Sequence, residues 1–271
     1  MAKMNQKNKF FKNQDFLCFY DSEFNAYDNY KDIKYPQELV SIGICIVDKY
    51  NNTIEKYYSL IKLKLAKKIS KRCTDLTGIK NQDMKFANEF PIVLNDLMQI
   101  FKKYNISTIY CYGSEDKKIF IKTSEIYKCF KKSLNIANKF FDIRTEFLNS
   151  TNGKVGNQGL SFLKKICNID GEVMHNALSD AIDLSQVFNC IYTIGYDKKK
   201  YDILTKEREE LSEYKKARKL KDDQGIFADY DILKAKNKII KYLYNTNIPN
   251  INNGTKKAII DDLNILFKNK K

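Results

Sequence analysis

The stretch "FYDSEFN" (19–25) sets Asp21 and Glu23 two positions apart at the end of an apolar run. In an extended strand, side chains spaced this way share a face. The preceding "DFLCFY" is apolar and aromatic enough to form a buried strand. Two carboxylates on one buried face repel each other and lose hydration. A cation removes both penalties; the alternative is a strand that ends at the surface with both acids solvated. The chain's sole histidine, His175, lies in "MHNALSDAIDL", five residues before Asp180. Five positions on a helix turn side chains apart by about 140°. His175 and Asp180 therefore converge only if His175 precedes the helix, with Asn176 or Ser179 near its N-cap. Alone, a single histidine is more often a solvated or structural residue. A further acid, Asp116, follows Gly113 in "YCYGSEDKKIF", where a strand gives way to a helix. Capping or the helix dipole accounts for acids at such a place, and for Glu115 that explanation suffices.

The elements that would position these residues follow from periodicity. "ELVSIGICIVD" (38–48) and "TIEKYYSLIKL" (53–63) are β-rich runs joined by the turn signal "KYNN", so an antiparallel hairpin follows the first strand. "EFPIVLNDLMQIFKKY" (89–104) carries Pro91 near its start and apolar residues Val93, Leu97, Ile100, Phe101 and Tyr104 at helical spacing. "STIYCY" (107–112) and "KFFDIR" (139–144) read as strands. Residues 115–132, 158–169 and 176–194 read as helices. Three early strands followed by strand–helix alternation describe an α/β sheet flanked by helices. The glycines of "GKVGNQG" (153–159) are not followed by Lys-Ser/Thr, so the segment reads as a plain loop rather than a phosphate cradle.

Composition bounds the class. A hydrophobic fraction of 43% over 271 residues supports a sizeable core. No apolar run reaches the ~20 residues that span a bilayer, and the N-terminus "MAKMNQKNKFFKNQ" lacks the apolar stretch of a secretory signal. A soluble, cytoplasmic protein is expected. The seven cysteines are dispersed and form no CxxC, which disfavours a disulfide framework or a zinc ribbon. The 48 Lys+Arg against 33 Asp+Glu give a formal charge of +15, which suits a polyanionic partner. AT-rich coding produces the same Lys, Asn, Ile and Tyr bias without a functional cause. Residues 1–14 read as a basic, mobile tail and 15–197 as the main domain. Residues 198–271 form a basic helical extension, acidic from Glu207 to Glu213 and basic from Lys215 to Lys221. Two amphipathic segments follow, the first marked by Ile232, Ile239, Ile240 and Leu243. The second is marked by Ile259, Leu263, Leu266 and Phe267, with Thr255 as a candidate N-cap.

Taken in order, "DSE" (21–23), "GSED" (113–116) and "HNALSDA" (175–181) resemble the motifs of the DEDDh 3′–5′ exonucleases. "PQELVSIGICIVD" (36–48) looks like that family's second strand, and "CTDLTGIKNQDM" (73–84) resembles its L-T-G-I segment. The likeness covers roughly residues 15–195 and looks closest to the branch with histone-mRNA and small-RNA 3′ exonucleases. Members of that branch often carry Trp before the second-motif Asp, where this chain has Glu115. The resemblance implies a ribonuclease-H-like mixed sheet with helices on both sides and a C-terminal helical appendage. It also implies a centre of two divalent ions, Mg²⁺ with Mn²⁺ as substitute, held by Asp21, Glu23, Asp116 and Asp180. Asp21 would bridge the ions, Glu23 and Asp180 would bind the nucleophile-side ion, and Asp116 the other. His175 would be the general base. The implied partner is nucleic acid, single-stranded RNA 3′ ends ahead of DNA, with Ser22 and Phe24 as candidate substrate contacts. A catalytically silent nucleic-acid-binding module would usually have lost one of these acids. An endonuclease of ribonuclease H type is separated by its ability to cut substrates with blocked 3′ ends.

Overall fold

Strand β1 (Phe16–Ala26) is the axis on which the rest is hung. β2 (Gln37–Asp48) runs antiparallel to it, and β3 (Thr53–Leu60) antiparallel to β2. The β2–β3 turn is tied by Asp48, whose Oδ1 accepts the N–H groups of Tyr50 and Asn52, both at 2.8 Å. Such side-chain-to-backbone bonding is what suits Asp to turns. On the other side of β1 lie β4 (Ile109–Cys111) and β5 (Phe140–Asp142), both parallel, giving the order β3-β2-β1-β4-β5. The computed structural model describes residues 7, 9–12, 14–26, 37–151, 158–223, 257 and 259–261. By contact density the chain divides into two units, Met1–Asp202 and Ile203–Lys271.

Both faces of the sheet are covered, so β2 is buried without interruption from Glu38 to Val47. One face receives α2 (Phe90–Lys103) and α3 (Glu115–Ile126), whose Val93, Leu94, Leu97, Ile119 and Phe120 pack with Cys18, Tyr20, Ile44 and Ile46. Pro91 sits in the first turn of α2, where a missing N–H costs nothing. The opposite face receives α7 (Ala177–Asn189), whose Phe188 ring lies 5.3 Å from that of Phe19. A π-helical turn, Cys190–Ile194, extends α7. The shorter helices are α1 (Lys71–Thr77), α4 (Phe130–Ala137), α5 (Arg144–Ser150) and α6 (Leu160–Ile166), and α8 (Lys198–Asp223) follows. This is the mixed, helix-flanked sheet that the motifs imply.

Two expectations need correction. The helix expected over 115–132 is two, because the chain turns at Tyr127–Cys129 with Lys128 at φ 57°. The Cys129 N–H turns back to the Ser124 carbonyl at 2.8 Å, a local bond that closes the helix, and the Tyr127 hydroxyl donates to the Lys62 carbonyl, a tertiary bond that anchors the turn. Within the expected tail, Phe10 is packed rather than mobile, its ring 5.0 Å from Phe188 and 4.9 Å from Tyr192. An aromatic ring near an apolar helix face gains more from burial than a short segment loses in chain entropy. The helices α1 and α5 were not anticipated. The loop 153–157, the segment around Ile232–Leu243, Thr255 and most of the last amphipathic segment lie outside the described residues.

Candidate active site

The β1–β4 ladder pairs Cys18 with Ile109 and Phe19 with Tyr110, so Asp21 and Glu23 lie past its carboxyl end. β2 and β3 extend the sheet from one side of β1, β4 and β5 from the other. In open α/β sheets such a switch point is where ligands bind. Asp21 is partly buried and Glu23 buried, both on the α7 side of β1 as the strand period requires.

What brings His175 and Asp180 to Glu23 is Gly43. It pairs with Asp21 across the β1–β2 ladder. A Cβ at that position would fall 2.2 Å from the Ala177 carbonyl carbon and 2.2 Å from the Leu178 nitrogen. The first turn of α7 therefore rests directly on the strand backbone, the close approach for which a glycine inside a strand is suited. Asn176 caps that turn, its Oδ1 accepting the Ser179 N–H at 3.1 Å. His175 stands just outside the helix at φ 47°, exposed, as the five-residue spacing requires. Glu23, His175 and Asp180 each offer a ligating atom, all within 4.8 Å of one another.

Asp116 arrives from the opposite face. It lies in the first turn of α3, buried, and its Oδ1 accepts a hydrogen bond from the Ser22 hydroxyl at 2.7 Å. The approach is fixed by a brace that the sequence reading missed. Asp142 Oδ1 accepts the Gly113 N–H at 2.9 Å, while Arg144 forks onto Asp142 at 2.8 to 3.2 Å. Gly113 itself has φ 119°, a conformation open chiefly to glycine. The signal available was the acid–x–base pattern of "DIR", which begins on the last residue of a strand.

Ser22 and Phe24 are the candidate substrate contacts on the same strand. The Ser22 side chain emerges on the other face from its neighbours and its hydroxyl is engaged by Asp116, and Phe24 packs partly buried against the main core.

The electrostatics describe an excess of negative charge. Burial raises the Glu23 carboxyl to about 8, with Asp180 and Asp116 adding to the effect. Burial raises Asp116 to about 7, against the lowering influence of the Ser22 bond. Burial likewise raises Asp180 to about 6, with His175 opposing. Asp21 is held well above the usual carboxylate range by burial and by Asp116, Glu23 and Asp180. Asp180 Oδ1 is buried and has no hydrogen-bond partner among the described residues. Hard divalent cations take oxygen donors of this kind, and a resident cation would satisfy both the orphaned oxygen and the crowded charge. The donor set fits such ions.

Comparison with solved structures places the fold. The nuclease domain of 3′hExo, a DEDDh family member bound to rAMP, matches at TM-score 0.60 and 17% identity over 68% of this chain and 95% of that one. A 3′-exonuclease that recognises the histone mRNA stem-loop matches at TM-score 0.57 and 15% identity, over 72% of each chain. Cell-death related nuclease 4 matches at TM-score 0.55 and 18% identity, over 68% and 66%. No curated protein sequence matches the chain. The RNase_T exonuclease model matches residues 18–188, a span that runs from within β1 through the Gly113 turn into α7 and holds every acid of the cluster and His175, and the chain belongs to that exonuclease family.

Proposed function

We propose that the protein is a divalent-metal-dependent 3′–5′ exonuclease that removes nucleotides from single-stranded 3′ ends, RNA ahead of DNA. The observation that carries this reading is the convergence of Glu23, His175 and Asp180 within 4.8 Å beside the carboxylates of Asp21 and Asp116. Asp21, Glu23, Asp116 and Asp180 would hold two divalent ions. Bound there, the ions would neutralise charge at the scissile phosphodiester and on the leaving oxygen.

The chain's own residues do the rest. The exposed imidazole of His175 accepts a proton from the attacking water, the part a general base plays in hydrolysis. The Ser22 hydroxyl keeps Asp116 oriented. As the water oxygen bonds to phosphorus, the bond to the 3′ oxygen of the next nucleotide breaks and a nucleoside 5′-monophosphate leaves. Support for RNA comes from two of the fold matches, which concern a histone mRNA stem-loop and rAMP. The net charge of +15 favours a polyanion and predicts binding that weakens with salt.

End-labelled RNA and DNA oligomers of one sequence, with free or blocked 3′ ends, test the reading in Mg²⁺, Mn²⁺ or EDTA. Stepwise shortening of free-ended RNA, abolished by EDTA, is expected. Cutting of blocked ends would show an endonuclease, and equal or faster hydrolysis of DNA would remove the RNA preference alone.

A further inference from the structure

Lys164, on α6, is only 3% exposed. Lysine is seldom buried without a charged partner, and here Nζ lies 2.6 Å from Asp183 Oδ2 on α7, one turn beyond Asp180. The same ammonium donates to the Glu172 carbonyl at 3.4 Å, in the loop that joins the two helices and ends in His175. The backbone of Lys164 serves that loop as well, its carbonyl accepting the Ile169 N–H at 2.9 Å. Two helices and their connecting loop thus meet on one residue.

His175 needs such support. It is exposed and held at φ 47°, a conformation that non-glycine residues keep only when their surroundings impose it. The Asn176 cap fixes the residue after it, and the Lys164–Glu172 bond fixes the chain three residues before it. An apolar side chain can often replace a buried ion pair without loss of stability. It cannot replace a donor to a loop carbonyl.

We propose that Lys164 is the positioning residue for His175, holding the α6–α7 loop so that the imidazole faces Glu23 and Asp180. This rests on the reading of His175 as general base.

A double-mutant cycle in the full chain tests it. Lys164→Met should lower kcat by about 10- to 100-fold, the scale of a small misplacement of a reacting group, with KM changed less than about twofold. In a His175→Ala background the same substitution should cost almost nothing further, because the group it positions is gone. The chain has one histidine, so the imidazole resonances in NMR report its placement without any assay, and Lys164→Met should shift or broaden them. Should Lys164→Met fail to fold, Lys164→Gln, a shorter neutral donor, carries the same cycle. Additive losses overturn the positioning role and leave His175 as base, as does an undiminished kcat in the lysine variant beside a large loss in His175→Ala. Full turnover in His175→Ala overturns the base assignment and this proposal with it.

Discussion

The two halves of the site are built to opposite standards of rigidity. Asp21 and Glu23 stand on an eleven-residue strand bonded to a neighbour along its whole length, none of whose residues is exposed. His175 stands on an exposed loop in a backbone conformation that its own side chain disfavours. Strand positions cannot shift without breaking a ladder, whereas a loop residue moves with whatever holds the loop. On the proposed reading, acids that hold ions together need fixed spacing, which the first half supplies, and a base that meets water and successive substrate ends needs access, which the second supplies.

The comparison breaks most sharply at the acids. Asp21→Ala or Asp180→Ala should cost roughly 10⁴-fold or more in kcat while the far-ultraviolet circular dichroism stays native, the scale on which essential groups fail. EDTA should have the same effect on the unaltered chain. Residual activity above a few per cent in either variant would contradict the shared-ion reading. His175→Ala comes next, with about 10²–10⁴-fold lost from kcat and KM little changed, as expected when a general base is removed. A loss expressed only in KM would mark His175 as a binding residue.

Gly43→Ala sharpens the contrast, because it touches no reacting group. The methyl would meet the Ala177–Leu178 peptide at 2.2 Å, so α7 must retreat and carry His175 and Asp180 away from Glu23. About 100-fold loss of kcat/KM is expected from such a displacement, with weaker metal affinity by calorimetry. An unchanged metal affinity would show that the helix had not moved.

The smallest effect concerns stability. Glu23, Asp116 and Asp180 titrate in the folded protein at about 8, 7 and 6, whereas in the unfolded chain they return to about 4. Between those limits the folded state holds protons that the unfolded state has released. Their contribution to stability is therefore complete below pH 4 and is lost as pH rises through 6 to 8. The Tm of metal-free protein should fall by several degrees from pH 5 to pH 8.5, and saturating Mg²⁺ should flatten the slope. Asp21→Asn should flatten it without metal. A metal-free Tm that rises across this range would refute the crowded-charge description.

Much of the site was legible because its signals are local. The D-x-E spacing needs only a strand to place both acids on one face, and the Asn176 cap needs only the start of an apolar stripe. The order of the motifs carried the family. The details that assemble the pieces are tertiary and left fainter marks. Gly43 lies in an apolar run where a glycine signals close approach without saying what approaches. The break at Lys128 has no Gly or Pro to announce it: a local bond from Cys129 to Ser124 closes the helix there and the Tyr127 bond to Lys62 anchors the turn. Ser22 shows the limit of proximity in sequence: it sits between two site acids yet serves a third from the opposite face.

The seat that Gly43 provides for α7 also has a consequence for how the protein is made. Asp21 and Asp180 lie near the two ends of the matched span 18–188, so synthesis produces the first long before the second. A nascent chain with its hairpin already formed owns two of the four carboxylates and no imidazole. Contacts between distant parts of a chain also form late in folding. Until the last helix settles onto that bare stretch of strand, the ribosome carries a sheet with half a site, and the exonuclease centre is complete only with the finished fold.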